Sequence, residues 1–146
     1  MNRQIIFKAK RKDNGEWVEG YYLNIAKINH FICTGKIKLD GAVKGIIAPE
    51  MYAIDPDTLC QYTGLTDKNG KKIWENDIVS ISAYSYYEPE DDYFGIVTYC
   101  EKDACWVLKN NERFDEIICE CFGSYTTEII NHGNVFDNPE LLEVER

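Results

Sequence analysis

Two Asn-Gly dipeptides, Asn14-Gly15 and Asn69-Gly70, constrain this chain more than any other feature, because each sits between runs of β-forming residues. Both residues of such a pair reach positive φ at little cost, as a tight antiparallel hairpin turn demands. Ahead of the first dipeptide, Ile5, Phe7 and Ala9 alternate with Lys8, Lys10 and Lys12. A period of two puts the apolar residues on one face of a strand and the lysines on the other. "WVEGYYL" supplies the returning strand, so the chain is predicted to open with a hairpin turning at two residues. Around the second dipeptide, "YTGLTD" and "KKIW" are predicted to pair across Lys68-Asn69-Gly70-Lys71.

Asn76 stands where a short bend must redirect the chain into "DIVSISAY", and asparagine tolerates the left-handed region better than most side chains. "FGIVTYC" is the expected partner of that strand, reached through the loop "YYEPEDDY", and "CWVLK" is a further strand. Phe114, Ile117, Ile118, Cys121 and Phe122 fall at i, i+3, i+4, i+7 and i+8, the spacing of a short amphipathic helix. "HFICTG" and "GIIAPEMYAI" read as brief strands, and near the end "EII" and "NVF" are expected to extend. Asn138-Pro139-Glu140 gives a cap, a first-turn proline and a first-turn acid, which predicts a terminal helical turn. Pro56 disfavours the helical region at Asp55 and marks a joint between a front and a back half.

At 146 residues with 45% apolar side chains, the chain has the material for one compact domain, or two small ones, without covalent staples. It has no apolar run of about 20 residues and no secretory leader, so a cytoplasmic protein that does not enter membranes is expected. In that reducing compartment the six cysteines read as small packing residues. The net charge of −9 is unevenly spread, with nine basic and five acidic residues over 1–54 against seven and twenty over 55–146. Such asymmetry suits two surfaces with different partners, while the acidic bulk opposes general binding to nucleic-acid phosphates.

The residues for catalysis are sparse. His30 and His132 are the two imidazoles, and no Walker loop, GxSxG or HExxH motif is present. No catalytic residue is assigned. Glu88, Glu90, Asp91 and Asp92 crowd together without the alternating ligands and final glutamate of a calcium loop. Cys100-x4-Cys105 and Cys119-x-Cys121 lack the two-residue knuckle of a zinc site, so neither metal nor cofactor is expected. Asp77, between a bend and an apolar strand, is expected to accept hydrogen bonds from turn amides.

Several segments together resemble the YopX family of bacteriophage and prophage proteins: "FKAK", "WVEGYY", "DPDTLCQYTGLTDKNGKKIWENDIV", "GIVTY" and "HGNVFDNPELL". They run in order through nearly the whole chain. Asn76 stands where the family usually has glycine, and His132 where it commonly has an apolar residue. The resemblance implies one YopX-like domain over 1–146: a mainly β protein with a β-rich N-terminal part over 1–58, an SH3-like barrel over 59–146, and one or two short helices. It implies no established reaction. The expected function is therefore a non-enzymatic interaction module in the bacterial host cell, with an unidentified phage or host protein as partner and self-association left open. Tyr62, Trp74 and Trp106 are the candidate binding residues if they line an aromatic groove; burial in the core is the simpler reading of them. The alternatives are an accessory protein that contacts nucleic acid through Lys8, Lys10, Arg11 and Lys12, or an acidic mimic of DNA.

Overall fold

The computed structural model describes residues 3–39, 47–84, 91–110, 113–117 and 126–143. It is mainly β, with eleven strands and two short 3-10 turns among the described residues. No described helix is long and apolar enough to cross a membrane. The chain forms two compact units, Met1–Tyr62 and Thr63–Arg146.

In the first unit, β1 (Phe7–Lys10), β2 (Trp17–Ile25), β3 (Asn29–Leu39), β4 (Ile47–Ala53) and the start of β5 (Cys60–Thr66) lie in the order β4-β3-β2-β1-β5. Neighbours are antiparallel throughout. Ile54 bridges Arg11, and its amide donates to the His30 carbonyl at 3.1 Å, which brings the chain after β4 back to the end of β1. Ala9, Ile32 and Ile54 are fully buried in the hollow so formed, with Phe7, Val18, Tyr22 and Leu59 against them. Pro56–Thr58 follows as a 3-10 turn, begun by an extended Asp55 whose carboxylate accepts from the Asp57 amide, as the proline led one to expect.

The first hairpin is present, but its turn is longer than two residues. The ladder closes at Lys10 opposite Trp17, the Arg11 amide donates to the Glu16 carbonyl, and the Gly15 amide returns to the Arg11 carbonyl. Gly15, at φ +72°, lets the chain leave this loop. The alternation also begins later than expected. Ile5 is exposed and Ile6 buried, and the expected alternation holds only from Phe7, where the register with β2 begins.

The second unit holds the end of β5, then β6 (Lys72–Trp74), β7 (Asp77–Tyr84), β8 (Asp91–Cys100), β9 (Cys105–Asn110), β10 (Arg113–Ile117) and β11 (Thr126–Asn134). The last five form a sheet in the order β10-β9-β8-β7-β11, again antiparallel. Val79 and Ile81, Val97, Leu108 and Ile129 project from one face and bury Ile73 of β6, with Leu65, Tyr93 and Trp106 at the margin. Each such side chain contributes roughly 1.5–3 kcal/mol when removed from water. The hairpin across Asn69-Gly70 is held by the Asp67 amide on the Lys71 carbonyl and the Gly70 amide on the Asp67 carbonyl.

Three expectations in this unit need correction. Phe114 and Ile117 belong to strand β10, and Ile118, Cys121 and Phe122 lie outside the described residues. The helical spacing was real, but β9 offers an open edge, and backbone pairing from Arg113 opposite Asn110 to Ile117 opposite Val107 takes precedence over a short local period. "NVF" does not extend past Asn134, because the Asn134 Oδ1 accepts from the amides of Phe136 and Asp137 and curls the chain into a turn. Pro139–Leu142 is the expected terminal turn, in 3-10 form, but Asn138 does not cap it; its Oδ1 accepts from the Asn134 amide instead.

Candidate functional site

The stretch with most motif character, residues 60–81, resolves into hydrogen-bonded scaffolding. Asn76 sits in the left-handed region at φ +69°, as expected, with its amide on the Val97 carbonyl and its own carbonyl accepting from Val135. Asp77 is 2% exposed. Its Oδ2 accepts from the Trp74 amide at 2.8 Å and from Asn131 Nδ2 at 2.6 Å. Asp67, also buried, accepts from the amides of Asn69 and Lys71 in its own turn and of Asn131 in β11. Burial pushes the Asp67 carboxyl up, but those amides and the nearby Lys71 charge outweigh it and hold the group below the usual carboxylate range. Asn131, which the sequence did not single out, joins the two acids. It carried little advance signal, since β11 reads TTEIINHGN and Asn131 is one polar residue among several.

The candidate aromatic residues are dispersed in their environments. Trp74 is 4% exposed, Trp106 is half-buried against the core of the second unit with its ring edge-on to Tyr99 at 5.2 Å, and Tyr62 is half-buried in the first unit. The histidines are likewise engaged. His30 Nδ1 is 2.6 Å from the Tyr22 hydroxyl with the rings stacked, and His132 Nε2 is 2.8 Å from Ser80 Oγ with Phe94 beside it. A Ser–His contact is the first element of a nucleophilic site, but this histidine is exposed and lies on the face of β7 opposite the core residues Val79 and Ile81.

A surface with recognition character lies on the first unit. The register sets Tyr21, Cys33 and Met51 in one row across β2, β3 and β4, and Leu23, Phe31 and Ala53 in the next. Ile25 continues the β2 column and Ile28 stands on the turn that follows. These positions alternate with the buried Ile32, so they share the outward face. Tyr21 is 56% exposed, Ile25 51% and Ile28 76%, with Leu23 and Met51 exposed too. Contiguous exposure of this kind is unusual on a solvated sheet face and marks interaction sites.

Along the same face toward β1, Lys10 lies opposite Trp17 and Lys8 opposite Glu19. Lys8 Nζ stands 4.5 Å and Lys10 Nζ 5.4 Å from the Trp17 ring centroid, a cation–π cluster. Arg11 instead lies over the Tyr52 ring and pairs with Asp13, whose hydrogen bond raises the guanidinium pKa while lowering that of the carboxyl. The Tyr52 hydroxyl donates to Glu50, and that bond, with burial and the carboxylate charge, pushes the phenol up. Lys12 lies in the hairpin loop, so the structure gathers Lys8 and Lys10 on one aromatic ring and sends Arg11 elsewhere.

A search of curated proteins finds no match. The family model described as YopX protein matches residues 6–143, which spans both units and every motif noted above. This chain therefore belongs to the YopX family.

Proposed function

We propose that this protein is a non-enzymatic interaction module of phage or prophage origin, working in the host cytoplasm and docking a protein partner through the outward face of β2, β3 and β4. The observation that carries the reading is the exposed grid of Tyr21, Leu23, Ile25, Ile28 and Met51 on a sheet whose other face already buries its core. The fitting partner presents apolar side chains flanked by carboxylates, since Lys8 and Lys10 border the grid and charge complementarity across a rim steers association. In the second unit, an SH3-type arrangement is the proposed relationship of the β5–β6 hairpin to the five-stranded sheet. It is supported by Ile73 and Leu65 sharing the sheet's core.

The test compares capture from phage-infected or lysogenic cells by the wild type, by Leu23→Glu and by Lys8→Glu/Lys10→Glu, each first shown to be folded. Loss of one specific protein with Leu23→Glu, and its retention with weaker recovery in the lysine variant, supports the reading. Capture that is indifferent to Leu23→Glu overturns it. For the non-enzymatic part, Ser80 is expected to resist labelling by a fluorophosphonate, which phosphonylates activated serines with loss of fluoride, because its hydrogen bond is to an exposed imidazole.

The cation–π cluster favours one second reading, an accessory contact with single-stranded nucleic acid in which bases stack on Trp17 beside the lysines. Tight binding of an oligonucleotide whose salt dependence flattens in Lys8→Glu/Lys10→Glu would replace the protein-docking reading with this one.

A further inference from the structure

We propose that Cys100 and Cys105 are a modification site: a cross-strand thiol pair that a low-molecular-weight disulfide, such as glutathione disulfide, oxidises reversibly to an intramolecular disulfide. The two residues are directly opposite each other in the last pair of the β8–β9 ladder. Both are reduced and half-exposed, so a small disulfide can reach them. In an antiparallel pair, opposed Cα atoms lie about 4.5–5.5 Å apart, within the roughly 4.4–6.8 Å that a disulfide spans.

The backbone pattern says what kind of disulfide would form. Val97 turns its carbonyl to Asn76 at 2.8 Å, away from β9, so by alternation Cys100 turns its backbone toward β9. The Cys100–Cys105 pair is thus of the hydrogen-bonded kind, whose Cβ atoms are farther apart than the approximately 3.8 Å of a relaxed disulfide. Closing the bond must draw them together, and strained, accessible disulfides are the readily reduced ones. The exposed loop of residues 101–104, with Ala104 already at φ +53°, can absorb that movement. The Cys100 thiol also donates to the Asp103 carboxylate across 3.6 Å, so the same loop contacts one of the reacting groups.

The exchange balances without another reagent. One cysteine thiolate attacks the glutathione disulfide and releases the first glutathione thiolate. The second cysteine thiolate then attacks the protein sulfur of the mixed disulfide and releases the second. Two protein thiols become one disulfide, the small disulfide is reduced to two thiols, and both protons pass to the departing thiolates or the solvent.

The test equilibrates the reduced, full-length protein in glutathione buffers from strongly reducing to strongly oxidising, quenches with an alkylating agent and maps peptides by mass spectrometry. The expected result is simultaneous loss of alkylation at Cys100 and Cys105, with a linked peptide joining them, full recovery on return to reducing buffer, and stable glutathione adducts at Cys105 in Cys100→Ser. Full alkylation of both residues in the most oxidising buffer overturns the proposal. So do separate glutathione adducts on both in the wild type, or pairing of either with Cys119 or Cys121.

Discussion

The side-chain amide of Asn131 donates to the buried carboxylate of Asp77 at 2.6 Å, and this contact ties the edge strand β11 to the bend that starts β7. The same amide reaches the Lys72 carbonyl at 3.3 Å, so one side chain is hydrogen-bonded to the first residue of β6 and the first residue of β7. Asp77→Ala removes the carboxylate that accepts from the Trp74 backbone amide and from one N–H of the Asn131 side chain. That is expected to cost about 1–3 kcal/mol. Asn131→Ala should cost a similar amount, and the double variant less than the sum, by an interaction energy of about 0.5–3 kcal/mol. Urea unfolding of the four proteins measures this; additive losses would show that the two residues act independently.

Acid should weaken the protein through Asp67. Its carboxyl is held below the ordinary value near 3.8 by the amides of Lys71, Asn131 and Asn69, against the opposing effect of burial. A group with a depressed folded-state pKa contributes stability that is present above the unfolded value and disappears as pH falls through the folded one. Asp67→Asn is therefore expected to lower stability at neutral pH and to flatten the decline below about pH 4. Denaturant midpoints of both proteins across that range check the sign.

Gly133 is expected to reject any side chain. It has φ +145°, and a Cβ there would lie 2.2 Å from Asn138 Oδ1 and 3.2 Å from Asn138 Cβ. Gly133→Ala should destabilise by about 1–3 kcal/mol through backbone strain and this collision. Adding Asn138→Gly removes the collision but not the strain, so a partial recovery of the thermal midpoint is expected, and a complete one would locate the whole effect in the contact.

The turn between β2 and β3 carries avoidable strain. Ala26 and Lys27 have φ of +56° and +61°, and the Ile28 amide closes on the Ile25 carbonyl at 3.3 Å. Two left-handed residues in succession suit Asn-Gly far better than Ala-Lys. Replacing Ala26-Lys27 by Asn-Gly should stabilise the protein by about 1 kcal/mol or more. A lowered urea midpoint would contradict this account of the turn.

Local chemistry alone determined where two of the hairpins turn back and marked most of the segments that became strands. Asn14-Gly15 and Asn69-Gly70 lie in hairpin loops, Asn76 is left-handed, and Asp55 is extended before Pro56, because each depends on φ preferences within a few residues. Asp77 as an acceptor of a turn amide was legible for the same reason. Tertiary structure decided whatever depended on a distant partner. Phe114 and Ile117 entered a strand because β9 had an edge to satisfy, and Asn131 became a joint between two acids because β11 runs beside β7. The candidate docking face could not be read from β2 alone, where Tyr21, Leu23 and Ile25 show only an alternation. It takes the register with β3 and β4 to set Phe31, Cys33 and Met51 beside them, and burial of the opposite face to leave this one exposed.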